Sequence, residues 1–297
     1  MANLSEVRDR IKSVQSTQQI TKAMKMVSAA KLRRAQDAIV SLRPYAMKLN
    51  EMLRNILSNT DGGGGTSFNE EREVKRVLII VVTSNRGLAG AFNTNISKKA
   101  AELIEEQYAD LRASKSITIA VVGKKGNDYL KRRYSDLKIV RDHMNLFSDL
   151  SYENIAPLAD LIMSRFAEKV YDRVHVVYGK FKNAAQQFAE VEQYLPVQKA
   201  KTEKTGKAGM KADYIFEPDE ETLLKELIPS ILQIQLQRYL LDTHASEHGA
   251  RMTAMDKATE NAEEIVKDLK VSYNKARQEA ITKELSEIVG GAAALEG

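Results

Sequence analysis

Toward the C-terminus, Met252, Met255, Thr259, Ala262, Val266, Leu269, Tyr273, Ala276 and Ala280 recur at spacings of 3–4–3–4–3–4–3–4. Residues in that rhythm line one face of an α-helix. A seam kept up for four heptads needs a second helix lying along it. The small residues Ala262, Ala276 and Ala280 let that partner approach closely. The other end of the chain supplies a candidate. Leu4, Val7, Ile11 and Val14 fall at 3–4–3 spacing, and Ala35, Ala38, Leu42, Tyr45, Leu49, Met52 and Ile56 take up the pattern further on. Asn3 or Ser5 can cap this helix, with Glu6 placed as in a capping box. Pro44 is expected to bend the helix and not end it. At ~1.5 Å per residue such a helix is roughly 80 Å long, wider than a compact domain.

Between these ends the pattern changes. The runs 77–83, 117–122 and 174–178 are rich in β-branched residues, and 191–197 is a weaker candidate strand. Helical patterns at 95–111, 125–133 and 152–171 alternate with them, which predicts a mostly parallel, doubly wound sheet. The fold expected is therefore α/β: a long antiparallel coiled coil of the two terminal helices with a Rossmann-like lobe between them. The expected divisions are 1–61, 62–217 and 218–297. A Gly-rich linker follows the first helix, a mobile loop is expected at 199–211 (KAKTEKTGKAGMK), and Pro229 is expected to interrupt the third region early.

Composition narrows the chemistry. No cysteine occurs, which excludes disulfides, thiolate nucleophiles and cysteine metal sites. Apolar residues make up 43% and charged ones 29%, yet no apolar run approaches the ~18 residues of a membrane span. No signal-peptide pattern opens the chain, so it is expected to act where it is made. The absence of Trp and an aromatic share of 6% argue against a stacking platform for nucleic acid. Charge is unevenly spread. Residues 10–36 contain no Asp or Glu but carry Arg10, Lys12, Lys22, Lys25, Lys31, Arg33 and Arg34, which together exceed the whole-chain net charge of +5. A cationic rod of this kind needs an anionic partner. Gln15, Ser16, Thr17, Gln18 and Gln19 interrupt its seam, either as a solvated or loosely wound stretch or as a contact surface.

Two motifs hint at catalysis. His244-Ala-Ser-Glu247-His248 matches H-x-x-E-H, in which two helical histidines bind zinc and the Glu activates water. It lacks an evident third ligand and is read as a solvated helix face, with a zinc-dependent hydrolase as the residual alternative. The turn at 83–93 (TSNRGLAGAFN) follows the first strand, where phosphates often bind in such sheets. Neither G-x-G-x-x-G nor the P-loop pattern occurs, so Gly87 and Gly90 are read as a tight turn.

Three segments carry a resemblance. Residues 11–32 (IKSVQSTQQITKAMKMVSAAKL), the turn at 83–93, and 273–294 (YNKARQEAITKELSEIVGGAAA) resemble the gamma subunit of F-type ATP synthases, in its bacterial form. The resemblance implies a non-catalytic central shaft inside a ring of alpha and beta subunits, with its foot on a membrane c-ring and an epsilon subunit beside it. Proton flow turns ring and shaft together. It implies no catalytic residue, no cofactor and no metal. Met24, Lys25, Arg86, Arg277, Gln278 and Thr282 are implied to contact beta subunits, and Phe216 and Glu217 to belong to the foot on the c-ring. The acidic loop of the beta subunits supplies the anion that the rod requires. The loop at 199–211 has no counterpart in the resemblance, and the cysteine-bearing insert of the chloroplast branch is missing. The location implied is peripheral, on the cytoplasmic face of the bacterial inner membrane.

Overall fold

The structure is a computed structural model that describes residues 4–59, 68–197 and 220–296, with side chains described at 4–49, 51, 52, 68–197 and 227–291. The expected loop at 199–211 and the foot residues Phe216 and Glu217 lie outside the described residues. Contacts divide the chain into two units, Met1–Ser28 with Met252–Gly297, and Ala29–Arg251. Helices α1 (Leu4–Asn59) and α6 (Glu220–Glu296) contribute to both.

In the first unit, the two helices pair through small and polar seam residues. Thr21 Oγ1 lies 2.8 Å from Thr259 Oγ1, and Lys25 Nζ lies 2.5 Å from Asp256 Oδ1. The partner number falls as the α1 number rises, so the helices run antiparallel. Val7, Thr21, Ser28, Met255, Ala262 and Val266 are buried at the interface. Every seam position read from 252 to 280 is buried or half-buried. The Gln15–Gln19 stretch is solvated at Ser16, Thr17 and Gln19 but is not loosely wound. It stays helical, and Gln18 is half-buried one turn before Thr21.

The second unit is built on a five-stranded sheet of order β3-β2-β1-β4-β5. Strands β1 (Val77–Val82), β2 (Ile117–Val122), β3 (Lys138–Val140) and β4 (Arg173–Phe181) are parallel, and β5 (Gln187–Leu195) runs antiparallel to β4. Side chains on β1 alternate between two apolar layers. Leu78, Ile80 and Val82 meet α5 (Tyr152–Ala167) and α6 through Ile155, Ile162, Phe166, Leu232 and Leu236. Val77, Ile79 and Val81 meet α2 (Phe92–Glu102) and α4 (Lys124–Arg133) through Phe92, Ile96 and Leu130, with Tyr134 joining them just past the end of α4. Burial on both faces is why β1 and β2 read as unbroken β-branched runs.

Four readings need correction. The apolar stripe of α1 beyond residue 30 follows Leu32, Ala35, Ile39, Leu42, Ala46 and Leu49; Ala38 and Tyr45 point outward. These positions extend one heptad register from Leu4 without a slip. Pro229 does not interrupt α6, because Ile228, Ile231 and Leu232 beside it are buried and hold that turn in place. The helix read at 95–111 divides into α2, a π-turn (Leu103–Gln107) and α3 (Ala109–Ala113). The wider turn brings Leu103, Ile104 and Tyr108 all to the core, and the Tyr108 hydroxyl sits 2.7 Å from His175 Nε2. The helix read at 152–171 ends earlier, as α5, at Ala167. Lys169, at φ 60°, leaves the helix just beyond that end.

Candidate functional site

The cationic rod keeps its charges on the surface. Arg10, Lys12 and Lys22 are exposed, as are Lys31, Arg33 and Arg34 in the second unit. Lys25 differs. It is half-buried and paired with Asp256, and Met24 beside it is half-buried too. Both partners of that pair remain about two-fifths exposed, so the bridge is worth ~1 kcal/mol or less. It orients the lysine without binding it permanently.

Farther along α6, Ala276 and Ala280 occupy the seam, while Arg277, Gln278 and Thr282 are exposed. At ~100° per residue the three span about 140° of one helix face. The Thr282 hydroxyl donates to the carbonyl of Gln278 at 2.9 Å, which couples two of the three. Val271, Ile281, Leu285, Ile288 and Val289 are exposed along this stretch. Apolar side chains left uncovered in that density mark a surface that a partner covers.

The third group of residues lies in the turn after β1. Arg86 is exposed, and Leu88 (φ 63°) and Gly90 (φ 57°) adopt left-handed backbone there, in keeping with a tight turn. Ser84 anchors the turn, with its amide and hydroxyl both donating to Asn93 Oδ1 at 2.9 and 3.0 Å. In open parallel sheets a ligand enters the crevice where strand order reverses, here between β1 and β4. That crevice is filled by α6. Arg251 donates to the carbonyls of Gly87 and Arg86 and pairs with Glu247 Oε1 at 2.5 Å. The Gly179 amide in β4 donates to Thr243 Oγ1 at 3.2 Å, and the Ser246 hydroxyl donates to the Gly179 carbonyl at 3.0 Å. A Cβ on Gly179 would come within 2.7 Å of the Phe92 ring, so a larger residue there would have to displace that ring.

The same segment corrects the reading of the H-x-x-E-H motif. Glu247 and His248 are each 6% exposed and His244 is half-buried, so this is no solvated face. His244 and His248 place their Nε2 atoms 3.1 Å apart, but Glu247 is committed to Arg251 and not to the histidines. Burial, with Lys31 nearby, pushes His244 down to about 4. Burial, then His244, Lys31 and Arg251, push His248 to about 3. Burial also raises the Glu247 carboxyl, against the pull of Arg251. The sequence carried a signal for this. The rhythm of the 252–280 seam, continued backward from Met252 at 4–3 spacing, reaches His248 and Ala245, both buried.

Comparison with known proteins draws these features together. The family model for ATP synthase matches residues 3–295. The ATP synthase gamma chain of Cytophaga hutchinsonii is 52% identical over 295 residues, 99% of each chain. The gamma chain of Flavobacterium psychrophilum is 50% identical over the full length of both. Among solved structures, a chain of the Euglena gracilis mitochondrial ATP synthase superimposes with a TM-score of 0.69 at 23% identity, covering 98% of this chain and 94% of that one. That likeness bears on the fold alone. A chain of the central stalk and c-ring of the Tetrahymena thermophila enzyme gives a TM-score of 0.58 at 25% identity, over 80% of this chain and 99% of that one. With two relatives at half identity or better from end to end, the chain belongs to the ATP synthase gamma chain family.

Proposed function

We propose that this chain is the central-stalk rotor of a proton-translocating ATP synthase. It carries torque between a membrane c-ring and a catalytic ring of alpha and beta subunits, and it performs no bond chemistry itself. The observation that carries this reading is the end-to-end relationship to named gamma chains. The filled crevice between β1 and β4 supports it, since α6 occupies the place where such a sheet would hold a nucleotide. An antiparallel helix pair with exposed cations suits a part that is gripped from outside and turned.

In this reading Met24 and Lys25 face the acidic loop of a beta subunit, and Lys25 exchanges Asp256 for that loop as the shaft turns. Arg277, Gln278 and Thr282 engage a second beta-subunit loop, and Arg86 reaches the ring from the turn after β1. Phe216 and Glu217 belong to the foot on the c-ring, next to the epsilon subunit. No helix among the described residues is long and apolar enough to cross a membrane. In this reading the chain sits peripherally, on the cytoplasmic face of a bacterial inner membrane, held there by its partners. Zinc-dependent hydrolysis is not proposed, because Glu247 is held by Arg251. The test is reconstitution. Alpha and beta subunits mixed with this chain should form a stoichiometric complex with sustained ATPase activity that neither part has alone. Failure to co-purify with the ring would overturn the reading.

A further inference from the structure

On the opposite face of the sheet from α6, helices α2 and α4 border an open groove of about 660 Å³. One wall is the first turn of α2. Its N-cap, Ala91, has no side chain with which to cap the helix. The amide of Phe92 donates to Ala89 and that of Asn95 to Ala91, while the amides of Asn93 and Thr94 between them meet no acceptor among the described residues. Two free N–H groups at the positive end of a helix attract an anion. The other wall is the face of α4 that carries Lys125, Asp128, Tyr129, Arg132 and Arg133, three cations against one carboxylate. Lys125 is loosely tied to Asp128, at 3.6 Å, and Arg133 to Glu105, at 2.8 Å. Arg132 is exposed and has no partner among the described residues.

A second, independent observation points the same way. Ser97, one turn beyond Asn93, lines this groove, is fully buried, and its hydroxyl has no hydrogen-bond partner. A buried hydroxyl without a partner costs stability, and a serine inside a helix usually returns its proton to the carbonyl four residues back. Turned into the groove by a change of χ1, it would donate to an oxygen placed there. Free amides, an unpaired guanidinium and a spare hydroxyl around one concave space match the oxygens of a phosphoryl group. Tyr129, half-buried at the wall, offers a flat apolar surface beside it.

We infer that the groove between α2 and α4 binds a small phosphoryl anion, held by the first-turn amides of α2, Lys125, Arg132 and the Ser97 hydroxyl. This site is separate from the filled crevice at β1 and β4 and does not depend on the rotor reading. Inorganic phosphate and the diphosphate of a nucleotide share the chemistry that the groove recognises.

Calorimetric titration of the full chain with inorganic phosphate, pyrophosphate and ADP tests the inference. One saturable site for pyrophosphate is expected. Similar affinity for ADP means that only the phosphates are read, whereas tighter ADP binding means that Tyr129 contributes through the base. Arg132→Gln, an exposed change with no partner to lose, should weaken binding about tenfold. Ser97→Ala should weaken it about threefold while leaving the melting temperature unchanged or raised, because it deletes an unpaired buried oxygen. A merely structural serine would not weaken binding without also lowering the melting temperature. No saturable binding of any of the three anions, or affinity unchanged in both folded variants, would overturn the inference.

Discussion

Replacing Arg251 by Met tests how the crevice between β1 and β4 is closed. Arg251 and Glu247 each have side chains only 8% exposed, and Arg251 also donates to the carbonyls of Arg86 and Gly87. Arg251→Met keeps much of the volume but leaves the Glu247 carboxylate buried and unpaired. Breaking a buried pair from one side costs about 3–5 kcal/mol. The double variant Arg251→Met with Glu247→Gln leaves no buried charge and loses mainly the bonds to two carbonyls, about 1–3 kcal/mol. The single variant should therefore be less stable than the double by ~2 kcal/mol. In a unit of this size ~1 kcal/mol moves the melting temperature by roughly 2–4 °C. Thermal unfolding of the isolated chain, followed by circular dichroism, should place the single variant roughly 4–8 °C below the double. Acidity supplies a further check. Without Arg251, burial holds the folded Glu247 pKa above its unfolded value, so its stability is complete below the unfolded pKa and is lost as pH rises through the folded one. Relative to the parent at each pH, the deficit should shrink on acidification. A single variant as stable as the double would refute the view that this pair is a closed, mutually dependent plug.

Three other outcomes follow from the same geometry. His244 and His248 are pushed from 6.5 to about 4 and about 3, so the unfolded chain takes up protons that the folded chain refuses; stability should be complete above pH 6.5 and fall as pH drops toward 4. A pH series of unfolding curves for His244→Asn with His248→Gln should show a flatter acid limb, with the slope that remains coming partly from His175, which burial also lowers to about 4. Gly123→Ala should abolish stable folding of the second unit, since Gly123 sits at φ 95° and a Cβ would lie 2.0 Å from the Thr83 carbonyl oxygen; soluble yield and circular dichroism check this. Arg277→Ala with Gln278→Ala should leave helix content and assembly intact but lower ATPase turnover of the reconstituted complex about tenfold, because both side chains are exposed on the face away from Ala276 and Ala280.

The parts of the fold that follow from simple periodicity were legible. β1 and β2 are continuous β-branched runs because both faces are buried, and the 252–280 seam repeats because one face meets a helix. What escaped the sequence depends on contacts made across the chain. β3 is three residues long, and β5 shows only as the weaker strand pattern at 191–197, because a half-buried edge strand mixes polar with apolar side chains. The break at Tyr108 reflects its bond to His175, 67 residues away. The α1 stripe was misjudged by one position at Ala38 and Tyr45, where an aromatic competes with Ala46 for the same heptad position. For the candidate site, Arg277, Gln278 and Thr282 share one face because helical spacing alone puts them there. The pairing of Lys25 with Asp256 could not be read without the antiparallel register, and Glu247 was read as solvated because its partner Arg251 serves carbonyls on another element.

Rotation itself is the most direct test of the central proposal. The chain has no cysteine, so Asp110→Cys on an exposed part of α3 would create its only thiol, to which a visible probe can be attached. With the alpha and beta ring fixed to a surface and ATP supplied, the account predicts continuous rotation of the probe in one direction, stopping when ATP is withdrawn. Sustained ATP hydrolysis by an intact complex whose probe stays still would contradict it.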